Sequence, residues 1–119
     1  MPGTPQDPRR QATWTIENTH PDLVDQTVTS LREVMDPEIG LNIIELGLIR
    51  NVELKDDGEK GHVTMIMTTP FCPYAPALLE MARTKAEEAL GKPTTIEMGM
   101  EMWDPTYMEE GAGADWGLF

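Results

Sequence analysis

The stretch TTPFCPYAPALLEMARTKAEEALG, residues 68–91, joins an extended approach to the strongest helical pattern of the chain. Proline fixes φ and moves the residue before it out of the α region, so the prolines of the approach keep it extended. We therefore predict a helix that begins at about Ala75 or Pro76 and ends at Gly91, with apolar residues at helical spacing between them. Cys72, the only cysteine of the sequence, then lies just before a helix N-terminus.

This position of Cys72 allows two interpretations. The unpaired N–H groups and partial positive charge of a helix start favour an anion, and a thiolate binds metal or attacks an electrophile far better than a thiol does. A free cysteine is also commonly a small buried apolar residue. The local sequence leaves both interpretations open.

A single cysteine also limits the chemistry of the chain. It forms no internal disulfide and supplies no four-cysteine zinc or iron-sulfur site within one chain, so a cluster bound through Cys72 needs ligands from a second subunit, a partner or a small molecule. A thiol redox enzyme is disfavoured because the sequence contains no resolving cysteine. We expect a protein that is not an enzyme.

The residues before and after the predicted domain differ from it in composition. Residues 1–18 are predicted to be a flexible leader in which Trp14 and Ile16 either add a short edge strand or contact the domain as apolar residues. The domain itself is expected to span residues 19–108. An acidic and aromatic tail, residues 109–119, follows; either its apolar end folds back on the domain, which is the default expectation, or it serves as a docking peptide.

Periodicity predicts the remaining elements. An amphipathic helix is expected from about Pro21 to Met35, with Thr19 as its cap. Two strands over residues 48–55 and 62–69 form a hairpin, and a third covers residues 94–103. His62 near the hairpin turn is expected to be exposed. Alternation in the third strand predicts that one row of residues is the buried side of a sheet, namely Ile96, Met98, Met100 and Met102.

Together these elements predict an α+β fold, a two-layer sandwich of order α-β-β-α-β with a small mixed sheet and both helices on one face. A right-handed crossover through the second helix makes the second and third strands parallel. Cys72 is then expected at the carboxyl end of a strand and the amino end of a helix, a junction where functional loops are common.

The loop after the first helix contains several carboxylates. Asp36-Pro37 disfavours continuation of the helix, and a compact loop with a short helical turn is expected to follow. Asp36, Glu38 and Glu45 either form a carboxylate cluster or have ordinary roles, with Asp36 making a turn and the glutamates in solvent. The second interpretation is favoured for Glu38, whereas Asp36 and Glu45 stay open.

Charge and hydropathy exclude some partners. The formal net charge is -12, which is the wrong sign for binding that depends on neutralising phosphates, so we expect no nucleic acid partner. The apolar runs are too short to span a membrane, and the N-terminus lacks the apolar core of a secretory signal. We expect a soluble, cytoplasmic protein without a membrane partner.

Four segments at suitable separations carry a resemblance to a known family: DPEI at 36–39, NIIELGLI at 42–49, TTPFCP at 68–73 and WDP at 103–105. Together they resemble the small iron-sulfur cluster assembly proteins of the SufT and PaaD type, which are related to the eukaryotic cytosolic iron-sulfur assembly component. The resemblance covers about residues 20–108. The sequence lacks the extra cysteines of the longer PaaD branch, associated with phenylacetyl-CoA oxygenation, so the assembly branch fits better.

The resemblance implies an auxiliary factor in the maturation of iron-sulfur proteins. The cysteine of the family's TTPxCP motif corresponds to Cys72, its threonines to Thr68 and Thr69, and the aspartate of the DPE motif to Asp36. In the first hypothesis Cys72 gives one ligand to a labile iron-sulfur cluster or iron ion shared between chains, or contacts a client apoprotein. The threonines then donate hydrogen bonds to sulfur and Asp36 orients the loop.

A second hypothesis needs no metal. The chain is then an adaptor that uses its acidic surface and the aromatic residues Trp116 and Phe119 to recruit assembly machinery or an oxygenase complex. In both hypotheses the expected partners are iron-sulfur assembly proteins and client apoproteins, and a homodimer is compatible with either.

Overall fold

Three strands form a mixed sheet in the order β1-β2-β3. The computed structural model describes residues 13–37, 39–68, 73–104 and 107–108. β1 (Ile49–Lys55) pairs antiparallel with β2 (Lys60–Met65), and β2 pairs parallel with β3 (Thr94–Met98). The predicted α+β class, hairpin, parallel crossover and α-β-β-α-β order are confirmed.

The helix that connects the two parallel strands, α3, spans Ala75–Leu90 and packs against β2 and β3. It starts where the prolines of the approach predict. Gly91 ends it in the left-handed region, where its N–H donates to the Glu87 carbonyl at 2.9 Å. Its buried face consists of the residues that the sequence places at helical spacing, Leu78, Ala82, Ala86 and Leu90.

Gly61 in β2 allows α3 to lie close to the sheet. A Cβ at this position would lie 2.7 Å from Thr94 Oγ1 and 2.8 Å from Leu90 Cδ1. The last turn of α3 and the first residue of β3 therefore occupy the volume that a side chain on β2 would need.

The first helical region differs from its prediction. A 3₁₀ turn over Pro21–Leu23 leads into α2 (Val24–Leu31), so regular helix ends four residues before Met35. The chain instead pairs with the following loop, because Ile43 N–H donates to the Val34 carbonyl at 3.0 Å and Met35 forms a β-bridge with Asn42.

Thr19 is not the cap of this helix. It ends a short helix, α1 (Ile16–Thr19), and its hydroxyl donates to the Thr15 carbonyl at 3.3 Å. Of the two alternatives for Trp14 and Ile16, the edge strand is wrong for residues 16–19, which are helical.

Apolar contacts rather than strand pairing attach the N-terminal residues to the domain. Trp14 and Ile16 are buried in the common core, and the Trp14 indole N–H donates to the Ile49 carbonyl at 3.1 Å. The packed domain therefore begins before residue 19. Residues 1–12 of the predicted leader lie outside the described residues.

Polar side chains connect α2 to α3 as well. The Gln26 amide donates to the Ala89 carbonyl, and the Ser30 hydroxyl donates to the Lys85 carbonyl at 2.8 Å. These bonds join side chains of one helix to backbone of the other, so they fix the register in which the two helices pack.

Exposed ion pairs lie on the outer side of α3. Arg83 pairs with Glu80 and with Glu87, each at 2.6 Å. The hydrogen bond from Arg83 lowers the pKa of the Glu80 carboxyl and in turn raises the pKa of the guanidinium. A hydrogen bond to Glu33 raises the pKa of Lys85. Exposed pairs of this kind contribute little to stability.

The predicted methionine core is wrong. β3 ends at Met98, and Met98, Met100 and Met102 are 45%, 98% and 81% exposed. The physical reason is that β2 ends at Met65 and Gly99 N–H makes a last ladder bond to the Met65 carbonyl at 2.8 Å. Beyond this point no described strand pairs with the chain, so alternation no longer buries Met100 and Met102. Met98 still pairs with Met65, but it is the last residue of an edge strand.

None of the described helices has the length and apolar character needed to cross a membrane.

Gly47, at the end of the loop before β1, makes the tightest glycine contact of the described residues. Its φ is +73°, and a Cβ there would lie 2.0 Å from the Tyr107 carbonyl oxygen. Gly40 in the same loop has a φ of +83° but no atom within 4 Å of such a Cβ. An alanine at Gly40 would therefore meet only the strain of a left-handed backbone, whereas an alanine at Gly47 would also collide with another part of the chain.

We predict that Gly40→Ala lowers the free energy of unfolding by about 1 kcal/mol, the cost of an L residue in the left-handed region. Gly47→Ala should cost about 3 kcal/mol or more, because the methyl group also collides with a backbone carbonyl. Urea unfolding of both variants measures the difference. Equal losses would contradict the contact between Gly47 and Tyr107.

Candidate functional site

A pocket of about 380 Å³ opens where β2 and β3 end and α3 begins. Its lining comes from the residues after β2, the first residue of α3 and the chain that follows β3, namely Ile66, Met67, Thr68, Ala75, Met98, Gly99, Met100, Glu101, Met102 and Trp103. The parallel crossover therefore places a cavity at the carboxyl edge of the sheet, where ligand sites of open α/β sheets are common.

The lining is mostly apolar and rich in thioether sulfur. Methionine is flexible and polarizable, so a surface built from it adapts to differently shaped partners. Thr68 and Glu101 add a hydroxyl and a carboxylate. The Trp103 indole N–H donates to the Leu46 carbonyl at 2.7 Å, which holds this wall of the pocket to the loop before β1.

Arg50 fixes the chain that follows β3. Its side chain is only 8% exposed, and its Nε and Nη1 atoms donate to Glu101 Oε1 and to the Gly47 carbonyl, both at 3.2 Å. Its guanidinium lies 3.9 Å from the centroid of the Tyr107 ring. The buried guanidinium of Arg50 therefore joins three parts of the chain: Gly47 in the loop before β1, Glu101 in the pocket lining, and Tyr107.

Sequence reasoning missed the role of Arg50. An irregularity of the pairing between Ile49 and Asn51 interrupts the two-residue alternation of β1, so Ile49 and Val52 are both buried. The available signal was one long cationic side chain directly after the apolar residues Leu48 and Ile49, which indicates a residue with buried partners.

Thr68 is the predicted site residue that the structure places in the pocket lining. Cys72 and Thr69 lie outside the described residues, as do Glu38, Trp116 and Phe119. The undescribed segment 69–72 joins Thr68 to Pro73, two residues before Ala75. Both described ends of the segment that contains Cys72 are therefore at or next to the pocket.

Asp36 is buried at the turn after α2 rather than in the pocket lining. Its carbonyl accepts from Ile39 N–H at 3.2 Å and from Gly40 N–H at 2.8 Å, and its own N–H donates to the Leu41 carbonyl at 3.0 Å. These bonds support the turn-making interpretation.

Glu45 has a local structural partner. Its carboxylate accepts from Asn42 N–H at 3.0 Å, while the Asn42 side chain accepts from Glu45 N–H at 2.8 Å. This reciprocal pair closes the helical turn of the loop, in the manner of a capping box.

His62 is less exposed than predicted. Its side chain is 14% exposed, with Nδ1 2.7 Å from Thr95 Oγ1 and Nε2 2.7 Å from Glu97 Oε1. These contacts cross from β2 to β3 and stabilise their parallel pairing.

Within residues 13–37, 39–68, 73–104 and 107–108, no three side chains among His, Cys, Asp and Glu are grouped so that they could hold a metal ion. A second cavity of about 130 Å³ lies among Trp14, Val24, Ile44 and Tyr107. It is smaller and its lining does not include the ends of segment 69–72.

Comparison with known proteins identifies the family. The model of the iron-sulfur cluster assembly protein family matches residues 25–98, and this chain belongs to that family. This confirms the function class that the sequence motifs indicate, an auxiliary role in iron-sulfur cluster assembly.

Individual relatives agree with this assignment. The chain is 41% identical over 93 residues to an Fe-S protein maturation auxiliary factor of Porphyromonas gingivalis, covering 76% of this chain and 88% of the relative. It is 32% identical over 89 residues to the Fe-S protein maturation auxiliary factor YitW of Bacillus subtilis, covering 74% and 83%. The fold is similar to a solved domain of unknown function from Bacillus anthracis, with a TM-score of 0.72, 22% identity and coverage of 86% and 98%.

We predict that Arg50→Lys lowers the free energy of unfolding by about 2 kcal/mol, because an ammonium keeps the charge but loses the planar contacts to Glu101, Gly47 and Tyr107. Arg83→Lys is the matched control on an exposed helix face and should cost less than about 1 kcal/mol. Urea unfolding gives both values, and backbone amide NMR shifts should change across residues 98–108 only for the first variant. Equal effects of the two substitutions would contradict a special role for Arg50.

Proposed function

We propose that this chain is a non-catalytic auxiliary factor that handles an iron-sulfur cluster or iron ion as cargo, with the pocket as its working face and Cys72 as its one thiolate. The observation that carries the proposal is that Thr68 and Ala75, which flank the Cys72 segment, both line the pocket. Family membership supports the kind of cargo.

The electrostatics of α3 favour an ionised thiol at this position. Cys72 precedes Pro73 directly, and α3 starts at Ala75. Among the described residues, no acidic side chain lies in the first turn of α3 and no side chain caps it. The partial positive charge of that helix end therefore lacks a described protein anion, which favours a nearby thiolate.

One thiolate per chain suits transfer rather than storage. Because the sequence contains one cysteine, further ligands to the cargo come from a second copy, a client or a small thiol. When the ligands of one cluster come from two molecules, dissociation of either molecule removes part of the coordination and releases the cargo. We propose that Thr68 and Thr69 donate hydrogen bonds to cargo sulfur, while Asp36 and Glu45 act at a distance by holding the loop before β1.

A metal-free adaptor is the second candidate. The three exposed methionines and the absence of Lys and Arg from Pro93 onward favour a contact with an apolar, basic surface of another protein. In this version Trp116 and Phe119 are part of the docking surface. In either version we propose that the protein is cytoplasmic, contacts client apoproteins and can form a homodimer.

We predict that anaerobic reconstitution of the full chain with ferrous iron and sulfide produces visible absorption that is lost in Cys72→Ala. The reason is that the substitution removes the one thiolate that each chain offers. Bound iron per chain is measured alongside absorption. Met81→Ala, which alters an exposed methionine outside the pocket lining, should retain the signal.

Equal iron binding by Cys72→Ala and the unchanged chain would reject Cys72 as a ligand. Capture of a purified client apoprotein then separates the remaining versions. Loss of capture in Cys72→Ala supports direct client contact, whereas loss only after truncation behind Met108 supports the adaptor.

A further inference from the structure

The apolar surface formed by Met98, Met100 and Met102, here called the methionine surface, lies over the pocket that Ile66 and Trp103 line. All three methionines are exposed and line the same mostly apolar pocket, and exposed apolar surface of this kind on a small domain marks a contact site. The described residues do not cover it.

We propose that residues 109–119 of the same chain dock on the methionine surface through their apolar residues Trp116, Leu118 and Phe119. The starting point of this segment is fixed beside the surface. Met108 is fully buried, and the hydroxyl of Tyr107 lies 3.4 Å from Glu101 Oε2, on a residue that lines the pocket.

The length of the segment suits this contact. Trp116 is eight residues beyond Met108. A fully extended chain of eight residues reaches about 26 to 29 Å. The intervening sequence, EEGAGAD, contains small residues that turn easily. Aromatic rings also make favourable contacts with methionine sulfur, so the end of the segment matches the surface chemically.

The same chain is a better occupant than a second copy. Each copy has a formal net charge of -12, so two copies repel each other, whereas a segment that is already attached has an effective concentration on the order of millimolar. Glu101, the acidic residue of the lining, is already paired with Arg50, which reduces repulsion of the acidic residues in the segment.

Docking of this segment does not rest on the proposed cargo chemistry of Cys72. Loss of cluster binding in Cys72→Ala and failure of the docking test are separate results.

Peroxide oxidation of individual methionines, read by mass spectrometry, tests the proposal. Truncation after Met108 should raise the oxidation rates of Met98, Met100 and Met102 by roughly tenfold, which corresponds to about 1.4 kcal/mol of docking free energy. Met81 is the matched control because it has the same 45% exposure as Met98, and fully buried Met65 reports on folding.

The double variant Trp116→Ala/Phe119→Ala should reproduce the truncation in a chain of full length, whereas Glu110→Gln should leave the rates unchanged. Rates that are the same in all four chains would overturn the proposal. So would protection that disappears on tenfold dilution, because that result assigns the contact to a second copy.

Discussion

The parallel pairing of β2 with β3 is the constraint on which the rest of the structure depends. Parallel neighbours cannot be joined by a tight turn, so the chain has to cross back over the sheet, and α3 provides that crossing. Gly61 permits it, since Leu90 and Thr94 fill the space of the missing side chain. The exit from β2, the entry to α3 and the end of β3 consequently meet at one edge, where the pocket is found.

Arg50 holds in place the wall of the pocket that is formed by the chain after β3. The chain after Met98 has lost its strand partner and keeps its course through side-chain contacts instead: Arg50 with Glu101 and Tyr107, and Trp103 with Leu46. These contacts leave the methionine side chains in solvent while their backbone stays attached to the loop before β1. A surface of adaptable side chains on a held backbone is well suited to partners of varied shape.

Local signals predicted much of this fold, and long-range contacts account for most of what they missed. Prolines and Gly91 fixed the ends of α3 because their backbone effects act within a few residues. Alternation failed at Met100 and Met102, since a periodic sequence does not reveal where the neighbouring strand stops. The early end of α2 depends on pairing of Val34 with Ile43, and the role of Arg50 depends on partners up to 57 residues away along the chain.

The burial of Tyr107 and Met108 has a practical consequence. Both side chains are held in the core, so a fluorescent dye attached a few positions later is tethered to a fixed part of the chain next to the cavity. Its emission would register the arrival of a bulky guest without any label on the cavity itself. The chain just after Met108 is thus a suitable attachment point for a dye whose fluorescence follows binding and release at the pocket in real time.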